Sequence, residues 1–353
     1  MRHIQQTLDE WRLQYDIPLV AACIRLDGRL LWSGVSVAAR QKAAMGLSCP
    51  IRFPIYSITK IFTGICVFRA EAAGLLHVDD PLYSWFPELP VSRKIRLSHL
   101  LQHTSGLRDY GCMRAYHEAV TSAPSSPWSD HQFLTVTLSE KPLFEPGTGW
   151  SYSNIGYLLL RLILEKATGS SFRRVVDKHI VSTLGLVNTF VAETIDDWHS
   201  CMPGYGRELT INNEETDVRS SYHPGWCAPG VAVSTPEDVT RVLDSLFAGD
   251  LMDSRSLHRM LHLVHVPRTV PPVVTPSCGL GILADPDGVY GAAYGYGGEG
   301  PGYRLCASIV PHTAVGRLSV AAFGNSSGGA NMKWAEHALI RTVLAGETGR
   351  GSL

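Results

Sequence analysis

A chain of 353 residues with 45% hydrophobic content carries enough apolar side chain for a large core, in one domain or two. Its 31 basic and 32 acidic residues leave a formal net charge of −1, without the basic surface that a polyanion partner needs, so no nucleic-acid binding is expected. No internal repeat or low-complexity tract occurs, and no stretch is apolar and long enough to span a bilayer, so no membrane partner is expected either.

In chain order, residues 1–11 read as an amphipathic helix without the apolar region of a secretion signal, which sets the expectation of a cytoplasmic protein. Two apolar runs, 19–26 and 29–37, flank Asp27-Gly28, a strong hairpin signal. An apolar stretch from Ile51 to Tyr56 then leads into Ser57-Ile58-Thr59-Lys60 and a helix-like run over 61–73. That places a serine hydroxyl at the first turn of a helix, with a lysine three residues on along the same face. Helices are expected over 157–168, ended by Gly169, over 172–183, and over 236–247, with Thr235 as N-cap and Pro236 at the first helical position. Long loops fall at 122–129 and 199–229, and loops of that length often shape a substrate site. Strands are expected at 278–284, 289–295, 303–310 and 318–324, and a last helix over about 331–345 closes the chain. The N- and C-terminal pieces are expected to share one sheet covered by the terminal helices.

A serine becomes a nucleophile when a base and a positive electrostatic environment lie beside it, and a lysine one turn along a helix supplies both. Lys60 serves as such a base only if its ammonium is desolvated or crowded by other charge, and its neighbours Ile58, Ile61, Phe62 and Ile65 are apolar. Ser-x-x-Lys is a weak signal alone. Two further elements follow it in order: Tyr152-Ser153-Asn154, and the glycine strand Tyr294-Gly295-Tyr296-Gly297-Gly298-Glu299-Gly300-Pro301-Gly302-Tyr303.

Together these three elements resemble the serine β-lactamase and penicillin-binding-protein superfamily, in its class C-like branch, which also holds esterases, D-amino-acid peptidases and acyltransferases. Segments 75–82, 95–107 and 230–239 extend the resemblance over nearly the whole chain. It implies an α/β fold: an antiparallel sheet flanked by terminal helices, with an inserted, mostly helical region. The chain would form a single domain, its α/β part roughly 1–60 plus 249–353 and its helical part roughly 61–248, with the active site in the cleft between. By resemblance Ser57 is the nucleophile. Tyr152 takes the serine proton and passes it to the leaving group, although a phenol titrates too high for this unless a cation such as Lys60 is near. Asn154 steadies Lys60 and binds the substrate amide. The oxyanion donors are the backbone N–H groups of Ser57 and of Glu299, the residue after Gly298. Gly297 and Gly298 let a substrate backbone approach the strand.

The chain departs from that pattern at the third motif. Relatives usually have Lys-Thr-Gly or His-x-Gly there, whereas this chain has Tyr296-Gly297-Gly298 followed by Glu299. The cation is replaced by a phenol and an anion follows, so anionic substrates are disfavoured unless Arg304 or Arg108 neutralises Glu299. Tyr56, Tyr110, Trp150, Tyr222, Trp226, Tyr294 and Tyr303 either line an acyl pocket or pack in the core. In His103-Thr104-Ser105-Gly106 the resemblance implies a structural role.

The expected function is therefore a serine hydrolase that acts through a Ser57 acyl-enzyme on neutral esters, thioesters or amides. An acyltransferase or cyclase passing the acyl group to an amine or alcohol needs the same residues and stays open. A catalytically silent binding protein on this fold would be expected to lose Ser57, Lys60 or Tyr152, and all three are present. The expected partner is a small acyl substrate, with no cofactor and no metal. His99 with His103 and His258 with His262 have the spacing of a metal pair but lack the glutamate of a zinc-hydrolase helix. The eight cysteines, Cys23, Cys49, Cys66, Cys112, Cys201, Cys227, Cys278 and Cys306, form no Cys-x-x-Cys pair and read as reduced, mostly buried thiols.

Overall fold

The computed structural model describes residues 1–39, 50–89, 93–210, 212–328 and 331–348. Its frame is an eight-stranded antiparallel sheet. From one edge the strands are β2 (Arg29–Val37), β1 (Leu19–Leu26), β5 (Gly316–Gly324), β4 (Tyr303–Thr313) and β3 (Ala293–Gly300), followed by the short strands Leu283–Asp285, Ser277–Cys278 and Val264–His265. The β1–β2 turn sits at Asp27 and Gly28, with φ of +47° and +79°, the paired left-handed conformation that matches the twist of a tight hairpin.

Alternation along each central strand divides the molecule into two cores. Val20, Ala22 and Ile24 of β1, Cys306 and Val310 of β4, and Leu318, Val320 and Ala322 of β5 face the terminal helices α1 (Arg2–Gln14) and α5 (Met332–Thr348). Those helices answer with Ile4, Leu8 and Trp11, and with Met332, Ala335, Leu339, Ile340 and Val343, at helical spacing. The opposite face, with Leu19, Ala21, Leu305, Ala307, Ile309, Ala321 and Phe323, joins the larger core shared with the helical region. Helices α2 (Thr59–Ala72) and α3 (Asn154–Thr168) pack together in that region. The sequence placed the N- and C-terminal pieces in one sheet under terminal helices, and the fold has this arrangement.

Local details differ from the expectations. The stretch 278–284 is not one strand. Ser277–Cys278 and Leu283–Asp285 pair across a tight reversal in which Gly281 takes a φ of +100°. The strand expected at 289–295 begins at Ala293 and runs on to Gly300, because residues 285–291 fold into a turn with Gly288 and Gly291 hydrogen-bonded back. The helix over 172–183 contains a π-helical stretch, Asp177–Val181. Helix α4 (Pro236–Ala248), placed with the helical part by sequence, lies against β1, β4 and β5, burying Val239, Val242, Leu243 and Leu246 on the sheet. Its N-cap is Thr235, whose hydroxyl accepts the Asp238 N–H at 3.2 Å. Among the described residues no helix is long and apolar enough to cross a membrane. Seven cysteines are free thiols, five of them buried, and Cys49 lies outside the described residues.

Candidate active site

The site is assembled where the start of α2, the start of α3 and strand β3 converge. Ser57 sits in a short 3-10 turn, Tyr56–Ile58, that runs directly into α2. The turn is fixed to the rest of the fold: Ile55 N–H donates to the Ala232 carbonyl at 2.8 Å, and Thr59 Oγ1 accepts the Ala232 N–H at 2.9 Å. Tyr56, immediately before the serine, adopts φ +42°, a conformation that costs a non-glycine residue roughly 1–2 kcal/mol. Its ring is held against Trp198 and Tyr303, and its hydroxyl donates to the Pro301 carbonyl at 2.7 Å. Ser57 thus leaves a strained, over-determined bend, as functional residues often do.

The three residues singled out by sequence meet here. Ser57 Oγ lies 2.6 Å from the Tyr152 hydroxyl and 3.2 Å from Lys60 Nζ. Lys60 Nζ also donates to Asn154 Oδ1 at 2.8 Å. Tyr152 and Asn154 flank Ser153, whose hydroxyl accepts the Gly156 N–H at the start of α3. The helix cap therefore sets the spacing of both site residues. Ser57, Tyr152 and Asn154 are half-buried, whereas Lys60 is only 3% exposed, with Nζ beneath the serine and about 5 Å from the ring centres of Tyr152 and Tyr157.

Burial pushes the Lys60 ammonium down to about 8, against the opposing pull of the Asp109 carboxylate. Burial drives the Tyr152 phenol in the opposite direction, well above its ordinary value, with the hydrogen bond to Ser57 only partly offsetting it. Of the two proton carriers, Lys60 is the one that changes charge near neutrality.

Asp109 is a site residue that sequence reasoning missed. Its carboxylate accepts from the Asn154 side-chain amide at 3.2 Å on each oxygen, from the Asn154 backbone N–H at 3.1 Å and from the Gly111 N–H at 3.3 Å. The available signal was the Asp-x-Gly spacing of a side-chain-capped turn, common in any loop. His103 also belongs beside the site rather than only to the frame. It is fully buried in a left-handed backbone conformation, its ring 4.5 Å from the Tyr152 ring and 5.1 Å from that of Tyr157. His103 Nδ1 accepts the Ser153 N–H at 3.1 Å, and Nε2 lies 2.9 Å from the Tyr296 hydroxyl. With His103 built in this way, the His99–His103 spacing does not form a pair, since His99 Nδ1 accepts the Arg96 N–H. Among the described residues no group of His, Cys, Asp and Glu is arranged to hold a metal.

Strand β3 presents Tyr296, Gly298 and Gly300 toward the serine turn. A methyl at Gly298 would stand 2.5 Å from the Ile55 carbonyl oxygen, and one at Gly300 would stand 2.3 Å from the Tyr56 ring. These glycines admit the turn itself. Gly297 is exposed, with no atom closer than 3.7 Å to where its Cβ would be, so packing does not demand a glycine there. Glu299 is 67% exposed and paired with Arg304 at 2.7 Å, so its carboxylate is not the uncompensated charge that sequence allowed for. Arg108 instead turns to the Lys141 carbonyl and Glu140.

The aromatic residues mostly belong to the core. Tyr56, Tyr110, Tyr222, Trp226 and Tyr303 are all buried, and neither Tyr56 nor Tyr110 presents a surface to a ligand. Their effect on the site is through packing. Trp150, half-buried, stands edge-on to His103 at 5.8 Å.

The chain is similar to known proteins in sequence and in fold. Penicillin-binding protein 4* of Bacillus subtilis (strain 168) is 29% identical over 219 residues, 58% of this chain and 47% of that protein. Esterase EstB of Burkholderia gladioli is 28% identical over 51% of this chain and 48% of its own. The chain thus spans about half the length of these curated relatives. Among solved structures, a D-stereospecific amidohydrolase from Streptomyces sp. superimposes with a TM-score of 0.80 at 26% identity, covering 96% of this chain and 97% of that one. The D-amino acid amidase from Ochrobactrum anthropi SV3 shares the fold at a TM-score of 0.82 and 23% identity, covering 99% of each chain. The Beta-lactamase family model matches residues 2–343, and the chain belongs to that family.

Proposed function

We propose that this protein hydrolyses neutral esters or amides through an acyl-enzyme on Ser57. The observation that carries the reading is the contact of Ser57 Oγ with both Tyr152 Oη, at 2.6 Å, and Lys60 Nζ, at 3.2 Å, where Lys60 has been pushed down to about 8. In the acylation step the Ser57 proton passes to the neutral Lys60 amine as Oγ bonds to the acyl carbon. The carbonyl oxygen gathers charge at the backbone N–H groups of Ser57 and Glu299. As the carbon–leaving-group bond breaks, Tyr152 donates its proton to the departing atom. Asn154 holds Lys60 in register, and water then releases the acid by the reverse sequence. Trp150 would contribute apolar surface at the edge of the site.

The preference for uncharged substrates rests on the third motif. Tyr296 stands where relatives carry a cation, and Arg304 is already matched by Glu299, so the third motif offers a substrate carboxylate no free cation. Two of the similar proteins, an esterase and a D-amino acid amidase, are named for the ester and amide bonds proposed here. The test is intact mass spectrometry of wild type and Ser57→Ala with p-nitrophenyl esters, D-amino-acid amides, a thioester and a penicillin. An adduct or turnover in the wild type alone is expected. Addition of amines during turnover separates hydrolysis from transfer, because an acceptor other than water appears in the product. A stable penicillin adduct would overturn the specificity argument, and modification of Ser57→Ala equal to wild type would overturn the nucleophile.

A further inference from the structure

An ammonium has three hydrogens to place, and Lys60 has two oxygens to receive them. Among the described residues its hydrogen bonds run to Asn154 Oδ1 at 2.8 Å and to Ser57 Oγ at 3.2 Å. No carboxylate among them is in contact, because Asp109 is turned to the Asn154 amide and to the Gly111 N–H. Lys60 is buried, so bulk water does not make up the difference. A buried ammonium short of acceptors is costly, and Lys60 becomes one each time it takes the Ser57 proton. What remains around Nζ is aromatic. The ring centre of Tyr152 lies 5.0 Å away and that of Tyr157 5.2 Å, both within the range at which the negative face of a ring attracts a cation. Asn154 and Tyr157 stand three residues apart in the first turn of α3, on one face of the helix, and both reach Lys60. Tyr157 is fully buried, its ring 5.1 Å from that of His103 and its hydroxyl donating to the Leu101 carbonyl at 2.8 Å. The hydroxyl is committed to the frame, and what Tyr157 offers Lys60 is its ring.

We infer that the ring face of Tyr157, together with that of Tyr152, is the third partner of the Lys60 ammonium and steadies the base once it has taken the serine proton. The inference rests on the acyl-enzyme reading above and adds one positioning residue, which acts through Lys60. Tyr152 touches the serine and cannot be altered without disturbing the exchange itself, whereas Tyr157 touches only the base. The other titratable groups around Lys60 keep a constant charge while it titrates. Asp109, though raised by burial, meets only N–H donors and stays an anion. Burial, reinforced by Lys60, holds His103 well below the usual histidine range, so the imidazole is neutral. The Cys227 thiol is pushed up to about 11, and burial drives the phenols of Tyr152 and Tyr157 higher still. A change in the Lys60 titration on altering the ring therefore reports the ring.

The charge on a ring face can be changed at nearly constant shape. Tyr157→Phe keeps the face, and 3,4,5-trifluorophenylalanine at the same position keeps the shape while its fluorines draw electron density away from the face. The face favours the ammonium, so weakening it makes Lys60 give up its proton more readily. Relative to Tyr157→Phe, the fluorinated protein is expected to move the acid limb of kcat/KM on a p-nitrophenyl ester to lower pH, by about 0.5–1 pH unit. The carbon-13 resonance of Lys60 Cε, followed by NMR, should titrate lower by the same amount. A ring that only fills space and excludes water would leave the resonance where it was, and that result, or a movement to higher pH, would overturn the inference. If Tyr157→Phe does not fold, 3-fluorotyrosine at position 157 retains the bond to Leu101 and is compared with wild type by the same two titrations. Fluorophosphonate labelling of Ser57 separates this inference from the reading beneath it. Wild type that labels while the resonance stays in place discards the ring contact alone. A resonance that moves without the limb upholds the contact and discards Lys60 as the base. Wild-type Ser57 that does not label discards the acyl-enzyme, and the resonance still decides whether the ring holds the ammonium.

Discussion

At the residue scale the site depends on how little water reaches Lys60. An exposed lysine holds its proton at neutral pH, and a buried one beside a carboxylate keeps it more firmly still. Here desolvation outweighs Asp109, and the ammonium falls to about 8. The reactive form is the free amine, so kcat/KM is expected to rise with pH along an acid limb centred near 8 and then level off. Asp109→Asn removes the charge that favours the ammonium. The limb should therefore move to lower pH, while the plateau falls on the order of tenfold because the Asn154 amide loses its charged anchor. A pH–rate profile of the two proteins checks both parts, and a limb that stays in place or moves upward would sink the electrostatic argument. Asp109 was not legible in the sequence because its function is to orient Asn154 across 45 residues of chain. Ser57, Lys60, Tyr152 and Asn154 were legible because each lies in a short motif at a helix start, where spacing alone dictates direction. The extent of Lys60 burial was not, since it depends on packing from distant segments that no local pattern reveals.

At the element scale the decisive piece is β3, whose glycines serve two purposes. Alternation along the strand sends Tyr296, Gly298 and Gly300 toward the serine turn, and it leaves Gly297 on the open side. Gly298→Ala would press a methyl into the Ile55 carbonyl, one residue before the strained Tyr56. It is expected to cost about 1–3 kcal/mol in a denaturant titration. It should also lower acylation more than tenfold, because the turn carrying Ser57 is what must move. Gly297→Ala meets only open space and should stay within about 0.5 kcal/mol of wild type. On the face of β3 turned away from the serine turn, that variant should also leave kcat/KM unchanged. Equal destabilisation by both alanines would refute this division of the strand. The glycine run was readable as a site of close approach, but that Gly298 and Gly300 admit the protein's own serine turn depended on register. The same limit explains the strand expected over 278–284. Its apolar pattern is continuous, yet Gly281 in a left-handed conformation reverses the chain and delivers its N–H to the Leu101 carbonyl.

At the scale of the whole molecule the sheet separates chemistry from anchorage. One face meets the helical region and holds the site; the other is covered by α1 and α5. The covering layer was foreseeable from the amphipathic terminal segments and the alternating strands. Its polar centre was not. Glu336 of α5, with no solvent exposure, accepts from Cys306 Sγ, from Ser308 Oγ and from Lys333 Nζ at 3.0 and 3.2 Å, joining the helix to β4. Lys333 is itself only 17% exposed, so removing the carboxylate leaves an ammonium largely out of water along with two unpartnered donors. Glu336→Ala is expected to destabilise the fold by about 3–5 kcal/mol. Because β4 stands between this cluster and the larger core, the loss should not reach the serine. Below the unfolding transition, kcat/KM and its pH profile should match wild type, and denaturant titration should show the deficit in full. A variant that stays folded but loses activity in proportion to its stability would mean that the two faces are mechanically coupled through the sheet. The site's geometry would then depend on the terminal helices as much as on the residues that line it.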